Sequence, residues 1–507
     1  MTFDFQIAYK ISKQEVKAMK IKKLILLPVL SLAITGCTQD PSLSESVESA
    51  SSSSAPFSSS ESSVYSDNSD VSSVTGTNSI DESVERSIVI DENGVTQYRD
   101  PSNLSHAYNY SDEDTESYIT FKNKMKGFSN KLSELLVNKH FKKDGNLVFS
   151  PLSIELCLGL AMRCAGGQTR NEILAAFGMD YDTFNANYKL FFNSLLGTWK
   201  NNMNDTISEL LLTNSIWVDD DIALKDSGLD ALRDDYYCHS FGADFDGDNA
   251  RANKAMRDFI YQNTNGLLNP QLNLPASTLF VLMNTLYSKA LWYEDGDDLN
   301  DASSQYEFTN SDGTVSNKRL LDGKYCRGKA MYTDDFSAFY TSLYGYRIYF
   351  VKPNEGKNLK DVFDRSTMKY VLDEDNIVEQ DDVKMEKYST KCIFPQFNAY
   401  GDFEINDVLQ EDLGINSLFS YGACDMSGVT DENVYCQGIR HIATLDVNKK
   451  GMEGAAVTYA WMAGAGAPQP DPYTYLNYTF VVDKEFGFIV TRYDNVVFSG
   501  IVNNIDR

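Results

Sequence analysis

Between Gly451 and Asp483 the chain runs without a single Lys or Arg, and its first part is built almost wholly from small residues: G-M-E-G-A-A-V-T-Y-A-W-M-A-G-A-G-A, then Pro468, Pro470 and Pro472. Such a stretch cannot bury enough apolar area to offset its ordering entropy, so it is expected as an exposed loop. On composition alone it is a plain Gly/Ala-rich connector between two strands. Its first half nevertheless carries a strand pattern. Side chains of an extended chain alternate, so Met452, Gly454, Ala456, Thr458, Ala460 and Met462 share one face, with Glu453, Ala455, Val457, Tyr459 and Trp461 on the other. Glu453, the only charge among them, falls on the outer face. The small inner residues would let the segment slide between existing strands without overpacking them.

The N-terminal part reads differently. Lys20, Lys22 and Lys23 precede an apolar run from Leu24 to Ile34 that is too short to span a bilayer, the pattern of an export signal over residues 19–36. It ends in Ile34-Thr35-Gly36-Cys37, similar to a bacterial lipobox, which makes Cys37 the lipidated residue and the lipid anchor the only expected membrane contact. Met19 places the basic residues directly at the start, so residues 1–18 are read as untranslated or as an extra extension. Residues 37–117 are dominated by Ser, Asp and Glu with few aliphatics and are expected as a disordered stalk. Residues 118–507 form the globular part.

A net charge of −27 excludes nucleic acid as a natural partner and gives no electrostatic attraction to an anionic membrane. Of the eight cysteines, Cys37 aside, Cys157, Cys164, Cys238, Cys326, Cys392, Cys424 and Cys436 are odd in number and widely spaced, which is not a disulfide framework. Cys424 and Cys436 are the one pair considered for a bond. The chain carries no G-x-S-x-G, H-E-x-x-H, C-x-x-C or phosphate loop, and only four histidines, so an enzyme is disfavoured. Asp244-Phe-Asp246-Gly-Asp248 begins like a calcium loop, but Asn249 and Ala255 stand where its sixth and twelfth residues should be, so no metal and no cofactor is expected.

Within the globular part, residues 119–141 space Phe121, Met125, Phe128, Leu132, Leu135 and Leu136 as one helical face. Asn146-Leu147-Val148-Phe149-Ser150-Pro151-Leu152-Ser153-Ile154 is a short strand ended by Pro151, which opens a helix. Gly166-Gly167 closes that helix, and Thr169 with Glu172 has the form of a capping box for the next.

These residues carry a resemblance. N-L-V-F-S-P-L-S-I followed by G-L-A-M-R-C-A-G-G-Q-T-R-N-E-I resembles the opening of a serpin, the serine protease inhibitor superfamily. Leu212-Thr213-Asn214-Ser215-Ile216-Trp217, Ala243-Asp244-Phe245, Asn253-Lys254-Ala255, Asn263-Thr264-Asn265-Gly266, Asn284-Thr285-Leu286-Tyr287, Phe394-Pro395-Gln396-Phe397 and Leu413-Gly414-Ile415 continue it in order, and Phe498-Ser499-Gly500-Ile501-Val502 closes it. The resemblance implies an α+β fold with helices around a large, mainly antiparallel central sheet, two smaller sheets and an exposed reactive loop, here about 449–479. It also implies a monomeric endopeptidase inhibitor, not an enzyme. A protease cuts the loop, and the acyl-enzyme is trapped as the cut loop inserts into the central sheet. About fourteen residues at roughly 3.3 Å each give on the order of 45 Å of travel.

Carried over residue by residue, the resemblance makes Lys449, Lys450, Gly451, Met452, Glu453, Gly454, Ala455, Ala456, Val457 and Thr458 the hinge, and Ala465–Gly466 the reactive bond. Lys449 stands where the family has an acid, Met452 where it has a small hydroxyl residue and Gly454 where it has alanine. Ser150, Ser153, Asn284 and His441 match the polar cluster beneath the sheet opening, and Trp292 the aromatic at its top. A small residue at the cut suits elastase-like serine proteases. Tyr459, Trp461, Met462 and Tyr473 are alternative baits for chymotrypsin-like enzymes, cysteine proteases are a further partner class, and the missing Lys and Arg disfavour trypsin-like ones. A serpin fold that binds without inhibiting is the competing expectation.

Overall fold

In a computed structural model, the description covers residues 94–506 except 107–114, 144, 202, 294–297, 304–305, 328, 378–379, 382 and 453–471. In chain order the first half forms β1 (Val95–Arg99), α1 (Glu116–His140), β2 (Leu147–Phe149), α2 (Pro151–Cys164), α3 (Gly167–Phe177), α4 (Tyr181–Leu195), β3 (Gly197–Lys200), β4 (Thr206–Asp219), α5 (Asp226–Tyr236), β5 (Cys238–Ala243), α6 (Asn249–Asn263) and β6 (Phe280–Leu291). There follow β7 (Asn300–Asp301), β8 (Leu321–Arg327), β9 (Ala330–Tyr332), β10 (Phe336–Leu343), β11 (Tyr346–Pro353), α7 (Leu359–Val362), α8 (Arg365–Val371), β12 (Gln380–Asp381) and β13 (Glu386–Phe394). The last elements are β14 (Phe397–Glu404), β15 (Arg440–Asn448), β16 (Gly451–Met452), β17 (Thr474–Val481), β18 (Phe486–Arg492) and β19 (Asn495–Val502).

Three sheets result, as the α+β expectation requires. The central one is eight-stranded, in the order β1-β5-β4-β6-β16-β15-β14 with β3 beside β4. Among the described residues its only parallel pair is β4 with β5. The second has the order β2-β19-β18-β11-β10-β9, and the third β12-β13-β8-β7 with β17 alongside β13.

Local chemistry explains the helices that bear on the site. α1 starts at Thr115, whose hydroxyl accepts from Tyr118 N–H at 3.2 Å. Glu116 in its first turn and Lys139 in its last match the helix dipole, while Tyr118, Phe121, Met125, Phe128, Leu132 and Leu136 form its buried stripe. α2 is capped by Ser150, with Pro151 in the first turn, and is buried over nearly its whole length. Strand β4 alternates: Ile216 and Val218 enter the main core, whereas Trp217 points to the opposite face and packs in a second cluster with Phe241 and with Met256 and Phe259 of α6.

Four expectations are corrected by tertiary contacts. Thr169 and Glu172 do not cap α3. Thr169 Oγ1 instead accepts from Asp425 N–H, and the Glu172 carboxylate accepts from the N–H groups of Asn416 and Ser417 and from the Ser417 hydroxyl at 2.7–2.8 Å. Cys424 and Cys436 are free thiols, and burial pushes them up to about 11 and about 12. The stretch expected to be stalk as far as residue 117 contributes β1, which pairs antiparallel with β5. His106, placed in that stalk, stacks on Tyr237 at 4.2 Å between ring centroids.

Candidate functional site: a slot in the central sheet

β6 ladders with β4 from Phe280 to Ala290, and β15 ladders with β14 from Arg440 to Val447. Between them, among the described residues, stands only β16, with Gly451 and Met452 opposite Asn448 and Val447 on one side and Leu291 and Ala290 on the other. Below that short strand the facing edges of β6 and β15 border a cavity of about 530 Å³, with Leu282, Asn284, Leu286, His441, Ala443 and Leu445 among its walls. Strand edges carry rows of backbone donors and acceptors that demand partners. A slot walled by two such edges is therefore built to take a strand.

At its upper end the fit is close. A Cβ on Gly451 would lie 2.0 Å from the carbonyl oxygen of Ala290, so only glycine can occupy that position. Met452 is 2% exposed, on the inner face its alternation gave it. Lys449, where the serpin pattern has an acid, reaches Asp301 at 2.9 Å, and its carbonyl accepts from Leu299 N–H at 2.8 Å. Trp292 donates its backbone N–H to the Lys450 carbonyl at 3.2 Å and its indole N–H to the Asn448 carbonyl at 3.0 Å. It also packs edge-on against Phe394. The structure thus brings together Trp292 and the first four hinge residues.

Beneath the slot, β15 and β6 are joined through the start of α2. Ser150 N–H donates to His441 Nε2 at 2.9 Å, and the Ser150 hydroxyl accepts from Ser153 N–H at 3.1 Å. Ser153 in turn donates to Asn284 Oδ1 at 2.7 Å, and Asn284 Nδ2 to Asn214 Oδ1 at 2.9 Å. Asn214 Nδ2 then reaches the Tyr188 hydroxyl and the Tyr236 carbonyl. All four cluster residues named from the sequence meet here. Asn214, Tyr188 and Tyr236 were missed, although Asn214 lies within the L-T-N-S-I-W stretch already singled out.

Two buried titrating groups lie on or beside this helix. Burial drives His441 down to about 4 against the pull of Asp402. The unfolded chain, with a histidine near 6.5, then binds more protons between about pH 4 and 6.5, so His441 removes stability as pH falls through that window. Burial raises Glu155 to about 8, with the short Ser129 hydrogen bond opposing. Here the native state binds more protons between about pH 4.5 and 8, so stability is lost as pH rises through that range. Glu155→Gln should remove that alkaline loss, on the order of 2–4 kcal/mol, from urea unfolding measured at pH 5 and pH 8. An unchanged difference between the two pH values would refute the assignment.

Glu453, Gly454, Ala455, Ala456, Val457, Thr458, Tyr459, Trp461, Met462, Ala465, Gly466 and Cys37 lie outside the described residues. Tyr473 stands just before β17, half-buried, with Lys387 Nζ 4.4 Å from its ring centre. Among the described residues no cluster of His, Cys, Asp or Glu could hold a metal, and no helix is long and apolar enough to cross a membrane.

Among the described residues, the two-residue β16 is flanked by the much longer β6 and β15, and below it their edges face each other across the cavity. The family profile described as serpin (serine protease inhibitor) matches residues 123–505, and the chain belongs to the serpin family. Similar proteins include the alpha-1-antiproteinase of Mus saxicola, 24% identical over 377 residues that span 72% of this chain and 84% of the relative. Another is Iripin-2 of Ixodes ricinus, 26% identical over 381 residues that span 71% and 88%. Among solved structures, the native state of the thermophilic serpin tengpin has a TM-score of 0.61 at 19% identity, covering 75% of this chain and 94% of that one. Thyroxine-binding globulin in complex with thyroxine has a TM-score of 0.60 at 19% identity, covering 75% and 99%. At such identities the likeness to these structures is one of fold.

Proposed function

We propose that this protein is an exported, lipid-anchored suicide substrate for serine proteases, elastase-like before chymotrypsin-like. The attacking serine oxygen bonds to the Ala465 carbonyl carbon, the Ala465–Gly466 bond breaks, and Gly466 leaves as an amine carrying the proton passed on by the protease's base. The segment from Glu453 onward then extends β16 down the slot, carrying the acyl-enzyme with it before water can attack the ester. The observation that carries this reading is the pair of facing strand edges below an inserted Gly451–Met452. Ser150, Ser153, Asn284 and His441 act as the cluster that must adjust when the new strand arrives, and Trp292 holds the top. Tyr459, Trp461 and Met462 serve as secondary baits, whereas Tyr473 is tied to the sheet by its contact with Lys387. Cys37 carries the lipid, and the Ser-rich segment up to residue 93 sets the reach.

The test is to mix the protein with pancreatic elastase, chymotrypsin and trypsin and run denaturing gels. A covalent band with elastase, weaker with chymotrypsin and missing with trypsin, is the expected result. Clean cleavage without a covalent band overturns it. One observation favours a second reading, a serpin-fold carrier: the cavity of about 530 Å³ presents Leu272, Leu279, Phe280, Leu282, Leu286 and Ile442 beside its polar lining. In that case a small apolar ligand would be retained and elastase would only nick the chain.

A further inference from the structure

Residues 94–106 lie outside the stretch matched by the family profile, yet they wrap the edge of the central sheet from one face to the other. At the start, Val95 is buried in the cluster formed by Trp217, Phe241 and α6, and Gly94 lies against Arg251 of α6. The chain then pairs with β5 from Val95 to Arg99. Tyr98 lies against Gly242, where an added Cβ would come within 2.2 Å of its hydroxyl. Arg99 donates to Asp226 and Asp230 of α5, both at 2.7 Å. At the far end, Leu104 packs against the main core, and His106 hydrogen-bonds Asn193 of α4 at 3.1 Å while stacking on Tyr237.

When a strand enters between β6 and β15, the block β5-β4-β6 must move away from β15, and its far edge shifts relative to the helices beneath. The segment is fixed at one end to that block and to α6, and at the other to α4. We propose that residues 94–106 are a strap that brakes widening of the slot and so sets how fast the loop can insert. This rests on the inhibitor reading above and adds its regulation. A segment that only covered an edge would need no anchors on both faces. Arg99, with a side chain 22% exposed between two partners 86% and 45% exposed, is the middle fastening.

The test uses the full chain carrying Arg99→Ala with His106→Ala, and a charge-swap series of Arg99→Glu alone and Arg99→Glu with Asp226→Arg. Two quantities are read: the ratio of trapped elastase to merely cleaved protein, and the time for which the uncut protein stays susceptible to loop cleavage at a temperature below its unfolding midpoint. Loosening should shift the ratio toward trapping and shorten the susceptible lifetime about three- to tenfold, the range that two partly exposed ion pairs support. Asp226→Arg should recover part of the change in the Arg99→Glu background, which a general loss of stability would not do. Folded variants with both quantities unchanged would overturn the strap. If the unaltered protein traps no elastase, the inhibitor reading fails and the lifetime measurement alone decides the strap.

Discussion

Met452→Arg should turn the protein from a trap into a substrate, with the covalent elastase band reduced at least about a hundredfold and cleaved chain accumulating in its place. Met452 is the first side chain of the inserted segment and is 2% exposed between Ala290 and Val447. A cation placed there has no carboxylate among its two ladder neighbours, and the effective cost of an unpaired buried ion is several kcal/mol. Each 1.4 kcal/mol is a factor of ten, so the competition between insertion and hydrolysis shifts by at least two decades. Met452→Thr places a small, uncharged side chain there and should preserve trapping. Gel quantification across protease-to-inhibitor ratios measures both. The uncut chain can escape that cost by unseating residue 452, whereas full insertion forces it between β6 and β15, so a Met452→Arg protein that still traps efficiently would show that insertion is completed without seating this side chain.

Nicking the loop should raise the thermal midpoint by on the order of 10–20 °C, because about eight inserted residues each gain ladder bonds worth roughly 0.5–1.5 kcal/mol net. The nine-residue β15 and the twelve-residue β6 supply the flanking edges. The uncut molecule is on this account held from its most stable state by a barrier, not by equilibrium. Circular dichroism melts of intact and elastase-nicked protein make the comparison. Equal midpoints would mean that the cut segment stays outside, and the trapping mechanism would go with it.

Much of this is legible in the amino-acid order. The helical stripe of α1, the Ser150-Pro151 start of α2 and the inward position of Met452 follow from periods of 3.6 and 2 and from capping chemistry, which act over a few residues. The cluster of Ser150, Ser153, Asn284 and His441 was named through the serpin resemblance, and its hydrogen bonds join residues that chain order keeps far apart. Thr169 and Glu172 show the opposite case. Their spacing fits a cap, but the donors of Asp425, Asn416 and Ser417 come within reach only after folding and take both side chains.

The Ser-rich composition up to residue 117 likewise concealed β1. Val95, Tyr98 and Arg99 follow a long Ser-, Asp- and Glu-rich stretch, and their burial and pairing are supplied by β5, α5 and α6. Lys449 is a departure from the family pattern on the page of letters and an ion pair with Asp301 in space. What the amino-acid order alone carries is a Gly- and Ala-rich composition laid over strand alternation, and with it the expectation of a sheet able to take one more strand. That β6 and β15 stand apart with Met452 wedged at their top, and that an N-terminal segment fastens the far edge, was decided only by tertiary packing. Side-chain periodicity is local, whereas the spacing of two strands depends on everything that packs against both.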